Sequence, residues 1–242
     1  MINLLKNNLV KIFKLLLMLF CIILMQPSAR ADEKTNDAEL QDGGILLIKK
    51  SRPRIPQLDI SANIGYGFLL NRTPNLTGED KKMEDDLSAG LTWDIRLHSY
   101  FKSFFGIGFM YSGYHSSAKY KGADVSADIT YVAPLFCMHT GLGKTKLLFK
   151  SAVGIGYLGL REKALVGYGS PEILKGGTVG CNYTVGLEYR FCKHFGLGFD
   201  IDGIFGSIKT LKDSKGNKYE AENERLGVSR VNLFLGLRCY IK

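Results

Sequence analysis

Proline is scarce in this chain, with 6 residues in 242, and tryptophan occurs once. Glycine is plentiful at 28 residues, roughly 12% against a usual share of about 7%. Glycine without proline excludes collagen and a Pro-rich linker, and 45% hydrophobic with 23% charged residues excludes a disordered chain. Beyond residue 31 no stretch holds eighteen consecutive apolar residues, so no transmembrane helix is available there. Paired C-x-x-C spacing is missing, which removes the common zinc sites, and no cofactor is implied. G-x-S-x-G is missing too. No Lys/Arg stripe interleaved with aromatics occurs, so nucleic acid is not an expected partner.

What is present begins with a tripartite start. Lys6, Lys11 and Lys14 precede an apolar run from Leu15 to Met25, followed by Gln26-Pro27-Ser28-Ala29-Arg30-Ala31. Ala29-Arg30-Ala31 has the small-x-small form of a signal-peptidase site. Eleven apolar residues make a helix of about 16 Å, too short for a bilayer core of about 30 Å. Residues 1–31 are therefore read as an export signal cleaved after Ala31. Its removal takes away four cations and no anion, so the formal charge falls from +9 to +5. Four cysteines remain, Cys137, Cys181, Cys192 and Cys239, an even number that permits disulfides in an exported chain. Three of them alternate in register with apolar neighbours, which favours packed or lipid-facing thiols.

From Leu58 onward the apolar residues recur with period two, the strand signature. Leu87, Ala89, Leu91, Trp93, Ile95 and Leu97 alternate with Ser88, Gly90, Thr92, Asp94 and Arg96. Val179, Cys181, Tyr183, Val185, Leu187, Tyr189 and Phe191 oppose Gly180, Asn182, Thr184, Gly186, Glu188 and Arg190. Eight such segments are found, and in the fourth Val125, Ala127, Ile129 and Tyr131 are expected to form the apolar face against Ser126, Asp128 and Thr130. Short connections near 99–102, 140–145 and 193–194 alternate with long polar ones over 73–86, 115–124, 162–176 and 210–224. Short turns at one end and long loops at the other describe an all-β, up-and-down, eight-stranded antiparallel transmembrane β-barrel.

Period two does not say which face is inside. The polar face is rich in Gly, Ser and Thr, which suits a narrow lumen better than a solvent surface. The apolar face carries aromatics toward its ends: Tyr66, Phe68, Tyr111, Tyr131, Tyr157 and Tyr183 on the loop side. Phe105, Phe149, Tyr189, Phe191 and Phe199 fall on the turn side. Two aromatic girdles around an aliphatic middle are the pattern of membrane interfaces. The expected organisation is a signal peptide over 1–31, an N-terminal periplasmic segment over 32–57 and a barrel over 58–242.

Export signal, eight Gly-rich alternating strands and the ending Val231-Asn232-Leu233-Phe234-Leu235-Gly236-Leu237-Arg238-Cys239-Tyr240 resemble the small bacterial outer-membrane barrels of the OmpA/OmpX-like family. The resemblance covers about residues 58–242 and rests on pattern. It implies a place in the outer membrane, lipid as surroundings and barrel-assembly machinery as a partner during insertion. Family members usually end on an aromatic residue read by that machinery; the resemblance then implies that Ile241 or Tyr240 does that job, or that the terminus docks differently.

The polar face holds Asp59, Asp94, Glu188, Asp200 and Asp202 against Arg96, Lys150, Arg190, Arg230 and Arg238. Such a set reads as a salt-bridged plug, since an eight-stranded lumen is filled by side chains and buried charges persist when paired. An ion path is the other reading. His98, His139 and His194 fall at turns, where exposure is expected. His115 lies near the loop end with Ser116, Ser117, Asp124 and Asp128, the one place where a Ser/His/Asp set could assemble for lipid chemistry. Pro134 removes a ladder donor, so a bulge is expected near 131–135. Ile45 to Arg54 could dock at the periplasmic mouth. The function expected is structural or surface-interacting, through four long extracellular loops and a ligand on them, and not enzymatic. A lipid A-modifying enzyme, or an accessory of secretion or barrel assembly, is the alternative.

Overall fold

A strand in hydrocarbon has no water to satisfy its amides, so every N–H must reach a neighbouring carbonyl and the sheet must close. A computed structural model describes residues 58–70, 78–101, 104–120, 123–142, 146–165, 172–220 and 226–241. The expected signal peptide and the segment 32–57 lie outside these described residues. The elements are β1 (Leu58–Leu69), α1 (Gly78–Leu87), β2 (Ala89–Tyr100), β3 (Phe105–Tyr120), β4 (Ala123–Gly141), β5 (Leu147–Leu165), β6 (Glu172–Arg190) and β7 (Phe195–Phe205). Short strands follow, β8 (Ser207–Ile208), β9 (Thr210–Lys212), β10 (Lys218–Glu220) and β11 (Leu226–Gly227), before β12 (Arg230–Ile241). Each long strand pairs antiparallel with its successor, β7 pairs with β12, and β12 returns to β1. The chain is a closed eight-stranded barrel.

The register gives the tilt. Following direct partners from Asp59 through His98, Gly108, Leu135, Gly154, Asn182, Ile204 and Arg230 returns to β1 at Leu69, ten residues higher. A stagger of that size over eight strands inclines them by about 40°. The apolar stretch of β5 from Leu147 to Tyr157 then rises about 25 Å along the barrel axis, the height of a hydrocarbon belt.

Exposure settles which face is which. Ile64, Ile155 and Val179 are 61%, 68% and 72% exposed, while Asp59, Asp202 and Arg230 are each 0% exposed. Charge inside and aliphatic outside is the inverse of a soluble barrel, so the protein is a transmembrane barrel that crosses with strands. Among the described residues no helix is long and apolar enough to cross.

Three expectations change. No extra residue enters β4 at Pro134: the β3–β4 pairing runs unbroken through Phe109 opposite Pro134, and the β4–β5 ladder omits Ala133 and Pro134 while holding the same register on both sides. Proline costs one ladder site without a bulge, because it faces outward and leaves neighbouring pairs in place. Continuity of register then reverses the expected face of β4: Ala127, Ile129 and Tyr131 point inward at 4%, 1% and 0% exposure, and Pro134 and Phe136 point outward. Tyr131 is therefore no girdle residue. Tyr183 keeps an outward register yet is buried.

The four long loops are also revised. Only residues 121 and 122 separate β3 from β4, and β5 and β6 run to 165 and from 172. β4, β5 and β6 are each 19 residues long, where a tilted crossing takes about 9–11. The hairpins β3–β4 and β5–β6 thus stand above the belt as sheet. α1 occupies the β1–β2 connection, and Tyr114 Oη donates to the Leu87 carbonyl at 2.7 Å, satisfying a last-turn acceptor and seating the helix on β3.

Candidate functional site: the filled lumen and the loop-side face

Inward positions of β1, β2, β5, β6, β7 and β12 bring charges from distant parts of the chain into one turn-side layer. Lys150 Nζ lies 2.6 Å from Asp59 and 2.6 Å from Glu188. Glu188 accepts from Tyr240 and faces Arg238 Nε at 3.4 Å. Arg238 meets Asp200 at 2.6 Å, Asp200 meets Arg96 at 3.2 Å, and Arg96 meets Asp94 at 2.5 Å. Asn63 closes a ring by donating to Asp94 and accepting from Arg238. Each ion here is shared between at least two partners, the condition under which charges survive burial. A cavity of about 20 Å³ within this layer has room for a water molecule and is far too small for a solute.

Seven of the ten sequence-derived charges join this network. Asp202 instead accepts from Thr184 at 2.6 Å and Asn232 at 3.1 Å. Arg230 donates to the Ile129 carbonyl at 3.2 Å and to Ser112 at 3.0 Å, with its guanidinium 5.5 Å from the Tyr114 ring. Arg190 is half-buried and stacks its guanidinium 4.6 Å above the Tyr240 ring.

Two histidines expected at exposed turns are inside. His98 Nδ1 is 2.7 Å from Asp59, and His139 stacks on Tyr100 at 3.9 Å between ring centroids. His98 shares the parity of Asp94 and Arg96, a signal the sequence does carry. His139 does not, because the face of β4 was reversed.

Above the ionic layer the lumen is filled mainly by apolar side chains around Arg230: Met110, Tyr114, Ile129, Tyr131, Leu158, Ile204, Ile208 and Val228 form one buried cluster. Tyr131 spans toward β6, its hydroxyl 3.2 Å from Asn182 Oδ1. Glycines on the neighbouring strands β5 and β6 make the room. A Cβ at Gly156 would come within 2.6 Å of the Ala133 Cβ, which only glycine avoids.

On the outer face His115 Nδ1 sits 2.7 Å from Asp128, and Lys163 stands 3.7 Å from the same carboxylate. Ser116 points the opposite way, buried in the interior, so His115, Ser116 and Asp128 do not assemble. The alternation of β3 forbids it, since successive residues occupy opposite faces. A cleft of about 740 Å³ opens beside Lys163, between α1 and the raised ends of β3, β4 and β5, with Lys82, Lys119, Asp86 and Asp124 on its walls. Among the described residues no group of His, Cys, Asp and Glu is placed to hold a metal. The four cysteines are free: Cys137 buried, Cys181 and Cys192 exposed, Cys239 half-buried.

No protein-family model matches the chain, and no curated protein does. Solved structures do. The barrel is similar to Neisserial surface protein A, at 13% identity, TM-score 0.48, covering 76% of this chain and 97% of that one. It is similar to a major outer membrane protein of Thermus thermophilus, at 11% identity, TM-score 0.49, covering 76% and 99%. Ail, the attachment invasion locus protein of Yersinia pestis, matches at 10% identity and TM-score 0.46, covering 76% and 99%. All three are small outer-membrane barrels. The barrel reading of this chain rests on its own closure and apolar exterior.

Proposed function

We propose that the chain is a sealed outer-membrane barrel that acts by holding a rigid surface above the membrane, not by conduction or catalysis. The observation that carries this is the lumen, bridged from side to side at two heights. Lys150 on β5 meets Asp59 on β1, and Arg230 on β12 meets the Ile129 carbonyl on β4. In each case the two strands lie four apart around the barrel in either direction. A solute path would have to break an ionic layer and an apolar one.

The surface presented is the raised sheet of β3–β6, α1 and the β8–β11 segment. Sheet holds its side chains more firmly than a free loop, so a partner binding there meets a preorganised face. The enzyme alternative loses Ser116, which is turned inward, and keeps only Ser117 on the His115 face of β3; the accessory reading rests on residues 45–54, outside the described region. Planar-bilayer recording tests the seal: the refolded barrel gives no stable currents, and steady openings of porin size would contradict it. Deleting residues 117–126 across the β3–β4 tip should abolish surface attachment by cells bearing the protein while leaving the folded barrel intact. Attachment that persists counts against surface presentation.

A further inference from the structure

The outer face carries a row of cations that the sealed-barrel reading does not use. Arg161 on β5 is the direct partner of Lys175 on β6, Lys175 of Lys212 on β9, and Lys212 of Lys218 on β10. All four are exposed, and among the described residues none has a carboxylate within 4 Å. Like charges directly opposite one another across a ladder are destabilising. Asp128, the direct partner of Arg161 on β4, is engaged by His115 and Lys163, so beyond it four cations in succession repel one another unless an anion lies among them.

Height decides the anion. Tyr157, one of the loop-side girdle aromatics, lies four residues before Arg161 on the same face of β5, and a Cβ at Gly177 would come within 2.8 Å of its ring. The tyrosine ring leans up over glycine to just below the cations. Girdle aromatics mark the boundary between hydrocarbon and headgroups, so Arg161 and Lys175 stand at headgroup level on the loop side, and the row climbs from them by about 3 Å per strand toward Lys218. Adjacent strands are about 4.8 Å apart, so four cations span about 14 Å, room for more than one phosphate.

We infer that Arg161, Lys175, Lys212 and Lys218 form a binding surface for a phosphate-bearing lipid headgroup of the leaflet facing the loops. The lipid phosphates neutralise the row, and the girdle below holds the acyl chains against the barrel. The inference rests on the outer face lying in lipid and not on any role of the presented surface.

The test uses the full barrel in nanodiscs of phosphatidylcholine with and without lipid A. Native mass spectrometry reads the lipid A retained on the protein. The wild type should retain it, and the Lys175→Gln/Lys212→Gln variant should retain about ten- to thirty-fold less, the effect of removing two surface cations. In phosphatidylcholine alone that variant should unfold at the same or higher urea concentration than the wild type, because repulsion has been relieved. A control, Lys146→Gln/Lys193→Gln, removes two exposed cations from the turn side and should retain lipid A as the wild type does. Equal loss in the control, no loss in the row variant, or full displacement of lipid A by millimolar inorganic phosphate would each overturn the inference.

Discussion

Lys150 reaches across the full width of the lumen to Asp59, 2.6 Å away and 91 residues distant in sequence. The same ammonium touches Glu188 at 2.6 Å, so one side chain ties three strands together. Sequence separation of this order makes the contact late to form, since a long loop must close first.

Removing that ammonium strands two buried carboxylates. Lys150→Met should lower barrel stability by about 3–5 kcal/mol, read by urea unfolding in lipid. Adding Asp59→Asn and Glu188→Gln should recover a large part of the loss. A single variant within about 1 kcal/mol of wild type would show that the network is not stabilised by this ion.

Glycine spacing inside the barrel is set by the neighbouring strand. Gly156→Ala should cost about 1–3 kcal/mol, because the new Cβ meets the Val132 carbonyl oxygen and the Ala133 Cβ. Gly141→Ala, whose nearest neighbour would be Leu148 Cδ2 at 3.9 Å, should be close to neutral. Equal effects at the two sites would remove the packing explanation of the apolar layer.

The cysteines report which face is wet. In lipid nanodiscs a membrane-impermeant maleimide should modify Cys192 in its turn and spare Cys181, which neighbours the 72%-exposed Val179 on the outer face, and Cys137 in the interior. Detergent denaturation should make all of them reactive. Labelling of Cys181 in lipid at the rate of Cys192 would mean that the outer face meets water.

Above the membrane, Asp213 organises the β9–β10 turn. Slight desolvation opposes ionisation, but hydrogen bonds from the Asn217 side chain and from the Asn217 and Lys215 amides outweigh it and hold the carboxyl below its ordinary 3.8. A depressed carboxylate stabilises the turn above its unfolded value and releases it as pH falls through the folded one. Between neutral pH and about pH 5 the turn should be unchanged. Its Lys215 and Asn217 amides should lose hydrogen-exchange protection, beyond the intrinsic pH trend, only as pH drops below that range. Asp213→Ala should lack protection at every pH; a pH response retained in that variant would assign it to another group.

The sequence is unequal in what it discloses. Seven strands have one face plainly greasier than the other, and for those the inward and outward sets are legible, as with Trp93, Ile95 and Leu97 outside and Asp94, Arg96 and His98 inside. β4 is the exception because both of its faces carry apolar residues, Ile129 and Tyr131 on one and Val132 and Phe136 on the other. Only its pairing with β3 chooses between them. The hairpin extensions are hidden for a related reason: segments with polar residues on both faces, such as His115 to Lys119, look like loop, yet paired backbone keeps them in sheet where alternation is no longer enforced by lipid.

By itself, then, the sequence determined the class of object: period two, a Gly-rich polar face and an apolar face are local properties, and hydrocarbon admits only a closed sheet for such strands. Tertiary structure alone decided which charges meet, which face of β4 is inside, and that four cations fall in one row. Those depend on register and stagger around the barrel, quantities set by long-range pairing that no single strand contains.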